Sequence, residues 1–288
     1  MNTSPATSFG SGDTFLHANL LLDSVSVDIF AKVKQEVEWC VMHHRGGEVP
    51  RLVAVQGNVA EDGSYPVYRH PSDESPALLP FSPTVQLIRE HVERAVQHPV
   101  NHVLIQLYRG GTDYISEHSD KTVDIAPNTY IVNVSLGAER VMTLRTKKDA
   151  LEDGAERQKQ RIPLPHNSLL AFGLETNRRW LHAVNADKRP LSLKSSTELA
   201  EDGERISLTF RSIHTFMSAD HKLIWGEGAR GKGREDARPV VRGGPEADAL
   251  LAAFGKENHS SSFDWGEVYG QGFDVLHFRS LNSEARLP

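Results

Sequence analysis

The run from Arg205 to Arg211 constrains the fold most strongly, because polar and apolar residues alternate along it. Side chains two positions apart lie on the same side of a β-strand. One face of this strand would carry Arg205, Ser207, Thr209 and Arg211. Leu208 and Phe210 would face an opposite layer. A solvated strand with surface arginines is the competing interpretation, but it leaves a polar face on an otherwise apolar strand unexplained.

Several other short runs are rich in β-forming residues and are separated by turn formers such as Gly110-Gly111 and Gly137. They cover residues 51–55, 102–108, 129–136, 140–145, 168–172 and 180–184. Many short strands with turn signals predict a β-sandwich or barrel. The charged residues 147–160 are expected to form an exposed loop between two of these strands.

Helices are predicted on either side of the first of these strands and near the end of the chain. Residues 26–42 place Ile29, Val33, Val37 and Val41 at helical spacing. Ser82 resembles an N-cap with Pro83 at the first helical position, and an apolar face continues to Val96. A further helix is expected near residues 246–254. Residues 57–80, which contain Tyr65 and Tyr68, are predicted to be an irregular segment that covers another part of the molecule.

The 288 residues fit one large domain with extensions. Residues 1–14 are rich in Ser, Thr and Gly and are expected to be a mobile tail, since they lack the basic-then-apolar order of a secretion signal. Residues 15–217 would form the main domain with its N-terminal helices and covering segment. Residues 218–288 would be a C-terminal extension packed on that core.

Composition and charge indicate the cellular compartment and the kinds of partner to expect. Cys40 is the only cysteine, which excludes an intrachain disulfide and a cysteine-based zinc site. A reducing intracellular compartment, cytoplasmic or nuclear, fits best. We find no apolar run long enough to span a membrane. The formal net charge of -6 gives no general attraction to nucleic acid, although a local basic patch would not conflict with it.

His118-Ser119-Asp120 and His182 form a candidate metal site. In an extended segment His118 and Asp120 would point to the same side, and His182 on a later strand could complete the set. Two imidazoles and one carboxylate occupy one face of an octahedron, which suits non-haem Fe(II) and leaves open positions for O2 and a co-substrate. The competing interpretation is chance, because the chain has 14 His and 38 acidic residues.

The polar face of the Arg205 strand would hold an anionic co-substrate beside this metal. A guanidinium binds a carboxylate through two parallel hydrogen bonds, which a lysine cannot do. Tyr108 could add a hydroxyl donor to the same carboxylate. Together these features indicate an iron oxygenase that consumes 2-oxoglutarate.

The same residues resemble the AlkB-like family of Fe(II)/2-oxoglutarate dioxygenases, from about Pro50 to Ser212. The motifs are 107–113 followed by Glu117 to Asp120, then 131–144, 167–172 with 180–182, and 205–211. The resemblance implies a mainly β fold with flanking helices, a double-stranded β-helix (jelly roll). It also implies Fe(II), 2-oxoglutarate and O2 as cofactors.

By resemblance, His118, Asp120 and His182 would bind iron, Tyr108 and Arg205 would bind the distal carboxylate of 2-oxoglutarate, and Arg211 would support its other end. Two positions depart from the family pattern. Ser207 stands where the family usually has Asn, and Gln106 stands where an Asn often precedes the Tyr. Both belong to the expected co-substrate pocket, so its hydrogen bonding would be rearranged.

Two substrate classes remain open at this stage. Oxidation of a small, carboxylate-bearing molecule, by hydroxylation, desaturation or cyclisation, is favoured by the acidic charge, with Arg51, Tyr65 and Tyr68 as candidate substrate residues. The alternative is oxidative demethylation of N-alkylated nucleic-acid bases, in which the base is extruded and stacked on an aromatic ring. A non-enzymatic scaffold is disfavoured by the complete metal triad. The oligomeric state is left open.

Overall fold

The computed structural model describes residues 8–44, 47–150 and 156–281. Its strands are β1 (Ser8–Phe9), β2 (Thr14–His17), β3 (His43–His44), β4 (Gly47–Glu48), β5 (Leu52–Gly57), β6 (Tyr65–Pro66), β7 (Glu74–Pro76), β8 (Leu78–Pro80), β9 (His102–Tyr108), β10 (Ile115–His118), β11 (Ile131–Gly137), β12 (Arg140–Thr146), β13 (Lys159–Leu164), β14 (Ser168–Phe172), β15 (Trp180–Val184), β16 (Arg205–Arg211), β17 (Thr215–Met217), β18 (Leu223–Gly226), β19 (Arg238–Pro239) and β20 (Arg279–Leu281). Its α-helices are α1 (Asp23–Ser26), α2 (Ile29–Glu36), α3 (Pro83–Val96), α4 (Leu174–Arg179), α5 (Gly244–His259) and α6 (Trp265–Tyr269). No helix in these ranges has both the length and the hydrophobicity to cross a membrane.

Two sheets form the centre of the molecule. The major sheet has the strand order β1-β2-β14-β11-β16-β9-β5-β8, and the minor sheet has the order β10-β15-β12-β13. From β9 to β16 the chain changes sheet at every connection except the β12–β13 hairpin. Eight strands exchanged in this way between two antiparallel sheets define a double-stranded β-helix, or jelly roll. The predicted fold class is confirmed.

The two faces of the major sheet have opposite character, as the alternation in β16 predicts. On the outer face, Leu208 and Phe210 are fully buried and belong to one apolar cluster with Val85, Ile88 and Val92 of α3. Each such apolar side chain contributes about 1.5–3 kcal/mol when it is removed from water. The inner face, turned toward the minor sheet, carries the polar residues. The helices therefore stabilise the sheet from outside and leave its interior for chemistry.

The first predicted long helix is shorter than its apolar spacing suggests. α2 ends at Glu36, whereas Val37 and Val41 continue the helical spacing toward residue 42. Cys40 instead pairs with Val53 of β5, and the two backbones exchange hydrogen bonds of 2.8 and 3.0 Å. Pairing with the sheet edge satisfies backbone groups that a longer helix would otherwise satisfy.

Helix α3 begins where the sequence predicts, but a different residue caps it. Ser82 occupies the N-cap position and Pro83 the first turn, yet the Ser82 side chain makes no capping hydrogen bond. The carboxylate of Glu36 accepts a hydrogen bond from Thr84 N at 2.9 Å instead. An acidic group at a helix N-terminus satisfies free N–H groups and complements the helix dipole. The cap therefore also links α2 to α3.

The predicted N-terminal tail is wrong for residues 8–14. β1 and β2 form a hairpin, and β2 pairs with β14 at the edge of the major sheet. Thr14 is fully buried, and its Oγ1 accepts a hydrogen bond from Gly173 N at 3.1 Å. Asp13 accepts from Glu175 N at 2.9 Å at the start of α4. The composition of this Ser/Thr/Gly-rich segment indicates mobility, but these contacts hold it in place. Residues 1–7 lie outside the described part of the chain.

The C-terminal segment, residues 218–281 as described, is connected to the covering segment through backbone pairing. β17 pairs with both β6 and β18, so the predicted boundary at residue 217 falls within a hairpin. β20 runs parallel to β7. Helix α5 is longer than the predicted 246–254, and its apolar side packs with α6 and Val123. The segment thus contacts both the cover and the loop after β10.

A buried ion pair joins the covering segment to that loop and to the C-terminal segment. Arg69 and Asp124 have no exposed side-chain surface, and their closest N–O distance is 2.6 Å. The remaining donors of Arg69 reach the carbonyl oxygens of Gly228, Phe273 and Val275 at 2.7–3.2 Å. Every donor of a buried guanidinium needs such a partner, because an unpaired buried charge is strongly destabilising.

Arg69→Met is expected to lower the free energy of unfolding by about 3–5 kcal/mol, since it leaves Asp124 charged and buried. Urea unfolding followed by far-UV circular dichroism measures this change. Arg179→Met is the matched control, because Arg179 pairs with Glu175 at the surface and its side chain is 53% exposed. The control should change stability by less than about 1 kcal/mol. Equal effects of the two substitutions would contradict the assigned role of Arg69.

Candidate metal centre and co-substrate pocket

The three candidate metal ligands come together at the inner side of the minor sheet. His118 on β10 lies directly opposite His182 on β15 in the strand register. Asp120 follows two residues after the end of β10. One ligand atom from each residue lies within 4.8 Å of the other two, and this is the only such group among the described residues. The structure therefore brings together the triad that the sequence predicts.

Neighbouring groups orient these side chains so that their free atoms converge. Asp120 Oδ2 accepts hydrogen bonds from Arg211 Nη2 and Nε at 2.7 and 3.1 Å. Its Oδ1 lies 3.8 Å from His118 Nε2 and 4.0 Å from His182 Nε2. His118 Nδ1 lies 2.8 Å from Ser116 O, so it carries the proton and leaves Nε2 as the ligand atom.

The electrostatics favour the protonation states that a metal requires. Burial lowers the pKa of His182 to about 3, with a further contribution from His118, and burial also lowers the pKa of His118. Burial alone would raise the pKa of Asp120, but Arg211 and the two histidines outweigh it and lower that pKa. At neutral pH the site thus offers two neutral imidazoles and one carboxylate, the forms that bind metal. This donor set fits Fe(II).

Asn177 fixes the backbone of Asp120. Its Oδ1 accepts from Asp120 N and its Nδ2 donates to Asp120 O, both at 2.9 Å. Asn177 lies on α4, immediately before the strand that carries His182. One short helix therefore relates two ligands that are far apart in the sequence. The sequence prediction missed Asn177, since no local pattern shows that α4 lies against the loop after β10.

Arg205 is the candidate anchor for a carboxylate on the inner face of the major sheet. Its side chain is almost fully buried, and Nη2 donates to Ser135 Oγ at 2.7 Å and to Asn133 Oδ1 at 3.1 Å. Its Nε and Nη1 have no hydrogen-bond partner among the described residues. Buried donors are normally satisfied, so the two unpaired N–H groups of this guanidinium fit an anionic partner such as a carboxylate.

Tyr108 and Arg140 lie around the same anchor. Tyr108 is opposite Arg205 in the strand register, and its ring centroid is 5.2 Å from the Arg205 guanidinium and 5.7 Å from that of Arg140. Burial lowers the pKa of Arg205 to about 10, while Tyr108 acts in the opposite direction and Arg140 lowers it further. Arg205 remains charged at neutral pH, and this cationic cluster would favour an anion. The sequence prediction did not include Arg140.

Asn133 supplies an amide where the resemblance leads one to expect an Asn at position 207. It lies on β11 beside β16, and its Nδ2 donates to Ser207 Oγ at 2.7 Å and to Thr209 Oγ1 at 3.2 Å. Its oxygen accepts from Arg205. The pocket keeps a carboxamide although β16 carries Ser207. Alternating Asn133 and Ser135 within the apolar β11 run was the signal available in the sequence.

Gln106 and Arg51 interact with each other beside this pocket. With the Gln106 amide oxygen oriented toward Arg51, it accepts from Arg51 Nε at 2.7 Å and from Nη2 at 3.3 Å. Arg51 Nη1 donates to Tyr114 O at 2.9 Å. Burial lowers the pKa of Arg51, and Tyr108 acts in the opposite direction. The guanidinium is therefore already engaged by the protein.

The two tyrosines of the covering segment have different positions. Tyr68 is buried: its ring lies 4.1 Å from the Arg211 guanidinium, and its hydroxyl accepts from Lys121 N at 3.0 Å. Tyr65 OH lies near Met217 Sδ and His221 Nδ1 instead, at 3.3 and 3.1 Å. Tyr68 thus lies behind the metal ligands, whereas the recorded contacts of Tyr65 are with the hairpin of the C-terminal segment.

Comparison with known proteins agrees with this geometry. Residues 13–211 match the 2OG-Fe(II) oxygenase superfamily. Human DNA oxidative demethylase ALKBH2 is 30% identical over 194 residues, covering 65% of this chain and 68% of that protein. Human alpha-ketoglutarate-dependent dioxygenase alkB homolog 3 is 28% identical over 169 residues, covering 57% and 52%. The solved structure of OsALKBH1 gives a TM-score of 0.47 at 19% identity and covers 69% of this chain and 98% of its own.

The chain belongs to the 2OG-Fe(II) oxygenase superfamily. It is an AlkB-like dioxygenase that depends on Fe(II), 2-oxoglutarate and O2. When bound, these cofactors supply the oxidation of a C–H bond. His118, Asp120 and His182 would hold the metal, and Arg205 would bind the far carboxylate of 2-oxoglutarate. Arg211 keeps one Asp120 oxygen directed toward the histidines, while the surrounding sheets exclude water.

Proposed function

We propose that this enzyme is an oxidative demethylase of N-alkylated nucleic-acid bases. The observation that carries the proposal is the 30% identity to human DNA oxidative demethylase ALKBH2 across 194 residues. The alkB homolog 3 protein, an alpha-ketoglutarate-dependent dioxygenase, is similar at lower identity and supports the dioxygenase reaction. Oxidation of a methyl carbon attached to nitrogen gives a hydroxymethyl group, which separates into the free base and formaldehyde. The proposal replaces the small-molecule substrate that the sequence charge favours.

The contacts of the candidate substrate residues also support this choice. Arg51 is bound to Gln106 and Tyr114, so its guanidinium is not left free for a substrate carboxylate. Tyr65 contacts Met217 and His221 rather than a metal ligand. A small anionic substrate would have to displace these internal hydrogen bonds, each of which contributes about 1 kcal/mol or more.

The metal centre is most accessible beside His118. The His118 side chain is 31% exposed, compared with 13% for His182 and 6% for Asp120. A substrate would therefore approach along the His118 ring. Enzymes that act on a base within a nucleic acid extrude it from the stack and place it against an aromatic or apolar surface. The His118 imidazole offers such a face at the opening of the site.

Oxidation of a small molecule is the second candidate function. The observation in its favour is the formal net charge of -6, which opposes binding to a phosphate backbone. A demethylase with this charge would have to rely on local basic residues, and its binding would be sensitive to salt. The two candidates therefore differ in their response to ionic strength.

Oligonucleotides with and without N-methylated bases, tested beside free amino acids and other carboxylates, would distinguish the candidates. We expect the methylated oligonucleotide, but not the unmethylated one, to give formaldehyde, unmodified base and succinate in equal amounts. We also expect activity at subsaturating oligonucleotide to fall at least about tenfold between 50 and 200 mM salt. Mass spectrometry of the base and succinate release are the measurements. Turnover of a small carboxylate without any base conversion would reject the demethylase.

A further inference from the structure

The loop that carries Asp120 is held by side chains rather than by a sheet. β10 ends at His118, and the next four backbone amides each donate to a different side chain. The acceptors are Asn258 Oδ1 for Ser119 N at 3.0 Å, Asn177 Oδ1 for Asp120 N at 2.9 Å, Tyr68 OH for Lys121 N at 3.0 Å and Glu257 Oε1 for Thr122 N at 3.0 Å. The relative placement of His118 and Asp120 therefore depends on these acceptors.

Two of the four acceptors are adjacent residues in the last turn of α5. Glu257 and Asn258 belong to the C-terminal segment, beyond residues 13–211 that match the family. Asn258 Oδ1 accepts from Ser119 N and also from Lys121 Nζ, the latter at 3.1 Å. Ser119 is almost fully buried between the two candidate ligands. No other acceptor for its backbone N–H appears in the described part of the chain.

The last turn of α5 is itself firmly positioned. Glu257 is buried and accepts hydrogen bonds from the hydroxyls of Thr122 and Tyr269. Burial raises the pKa of Glu257, while Lys121 acts in the opposite direction. Lys147 Nζ donates to Glu257 O at 2.6 Å and to Ser260 O at 3.2 Å, at the C-terminal end of α5 where a cation complements the helix dipole. A rigid acceptor can define the position of the amide that it binds.

We propose that Asn258, supported by Glu257, is a positioning residue for the metal centre, so that the C-terminal segment sets its metal affinity. The inference rests on the proposed metal centre but not on any substrate. Some residues orient metal ligands without binding the metal themselves. Substitution of such a residue typically weakens metal affinity by about 10- to 100-fold. Asn258 acts through the backbone between two ligands and not on a ligand side chain. We therefore expect its effect on metal affinity to lie near the lower end of this range, about tenfold.

The test measures Mn(II) binding to the metal-free full-length protein without 2-oxoglutarate, using the EPR signal of free Mn(II). We expect Asn258→Ala to weaken binding about tenfold. Asn258→Asp keeps an acceptor oxygen for Ser119 N and Lys121 Nζ and should restore most of the affinity. Lys256→Ala, an exposed neighbour on the same helix, is the matched control and should bind like the parent.

Urea unfolding of each metal-free variant separates this role from simple packing. A folded Asn258→Ala that binds Mn(II) as tightly as the parent overturns the proposal. So does an aspartate variant that binds as weakly as the alanine variant. If Asn258→Ala does not fold, Asn258→Leu keeps the volume but removes the acceptor, and parent-like affinity there would equally overturn the proposal. Asp120→Ala, measured in parallel, should lose binding; if it does not, the metal centre itself is wrongly assigned.

Discussion

Asp120→Ala is expected to reduce turnover to background. The substitution removes the only carboxylate of the triad, and with it the charge that offsets the metal and the acceptor for Arg211. Two neutral histidines would remain, and they lack the third ligand that completes the binding face. Succinate release with saturating Fe(II) and 2-oxoglutarate measures the effect.

A second variant distinguishes loss of the metal ligand from loss of the fold. Alanine at position 120 leaves the buried Arg211 without its anionic partner, which is destabilising. Asp120→Asn keeps the volume and an acceptor oxygen for Arg211, and it should remain folded while it still loses turnover. Asp236→Ala, on an exposed 3₁₀ turn, is the control and should retain parent activity. If Asp120→Asn folds and keeps near-parent turnover, the assignment of Asp120 as a metal ligand is wrong.

Arg205→Ala is expected to raise the 2-oxoglutarate concentration needed for half-maximal turnover by about 10- to 100-fold. A charge-assisted hydrogen bond contributes about 1.5–3 kcal/mol, and about 1.4 kcal/mol corresponds to a factor of ten. The buried guanidinium has two donors without a partner in the described structure, which is the geometric basis for this estimate. Succinate release as a function of 2-oxoglutarate concentration gives the measurement.

Arg205→Lys separates charge from geometry at the same position. Lysine keeps the positive charge but lacks the planar guanidinium that Asn133 and Ser135 orient, so it should recover only part of the affinity. The metal affinity of both variants should remain that of the parent, because Arg205 contacts Asn133 and Ser135 rather than a metal ligand. If Arg205→Ala needs no more 2-oxoglutarate than the parent does, the residue that binds its carboxylate is not Arg205, and Arg140 and Arg211 are the next candidates.

The alternation in β16 and the spacing of His118 and Asp120 could be interpreted from sequence because both are local. A strand places alternate side chains on opposite faces whatever surrounds it, so the polar face from Arg205 to Arg211 was predictable. His182 could be added because it lies on a recognisable later strand. The sequence also correctly located the start of α3 at Pro83.

The supporting contacts could not be predicted, since they depend on where distant segments pack. Asn177 and Asn258 are ordinary polar residues on helices, and nothing near them in the sequence indicates a metal loop. Glu36 caps a helix that begins almost fifty positions later. The helix predicted to residue 42 fails for the same reason: Val37 and Val41 fit a helical pattern, but β5 offers Cys40 a backbone partner.

The order in which the chain crosses between its two sheets has a consequence for folding kinetics. Strands that pair within a sheet, such as β9 with β16, are remote in the sequence. Domains dominated by such non-local pairing fold in milliseconds to seconds, because loop closure is paid for before the contacts form. His118 and His182 become neighbours only when β10 pairs with β15. A metal held by these ligands binds only states in which β10 and β15 are paired, so it raises the free energy of unfolding in proportion to the logarithm of its concentration above its dissociation constant.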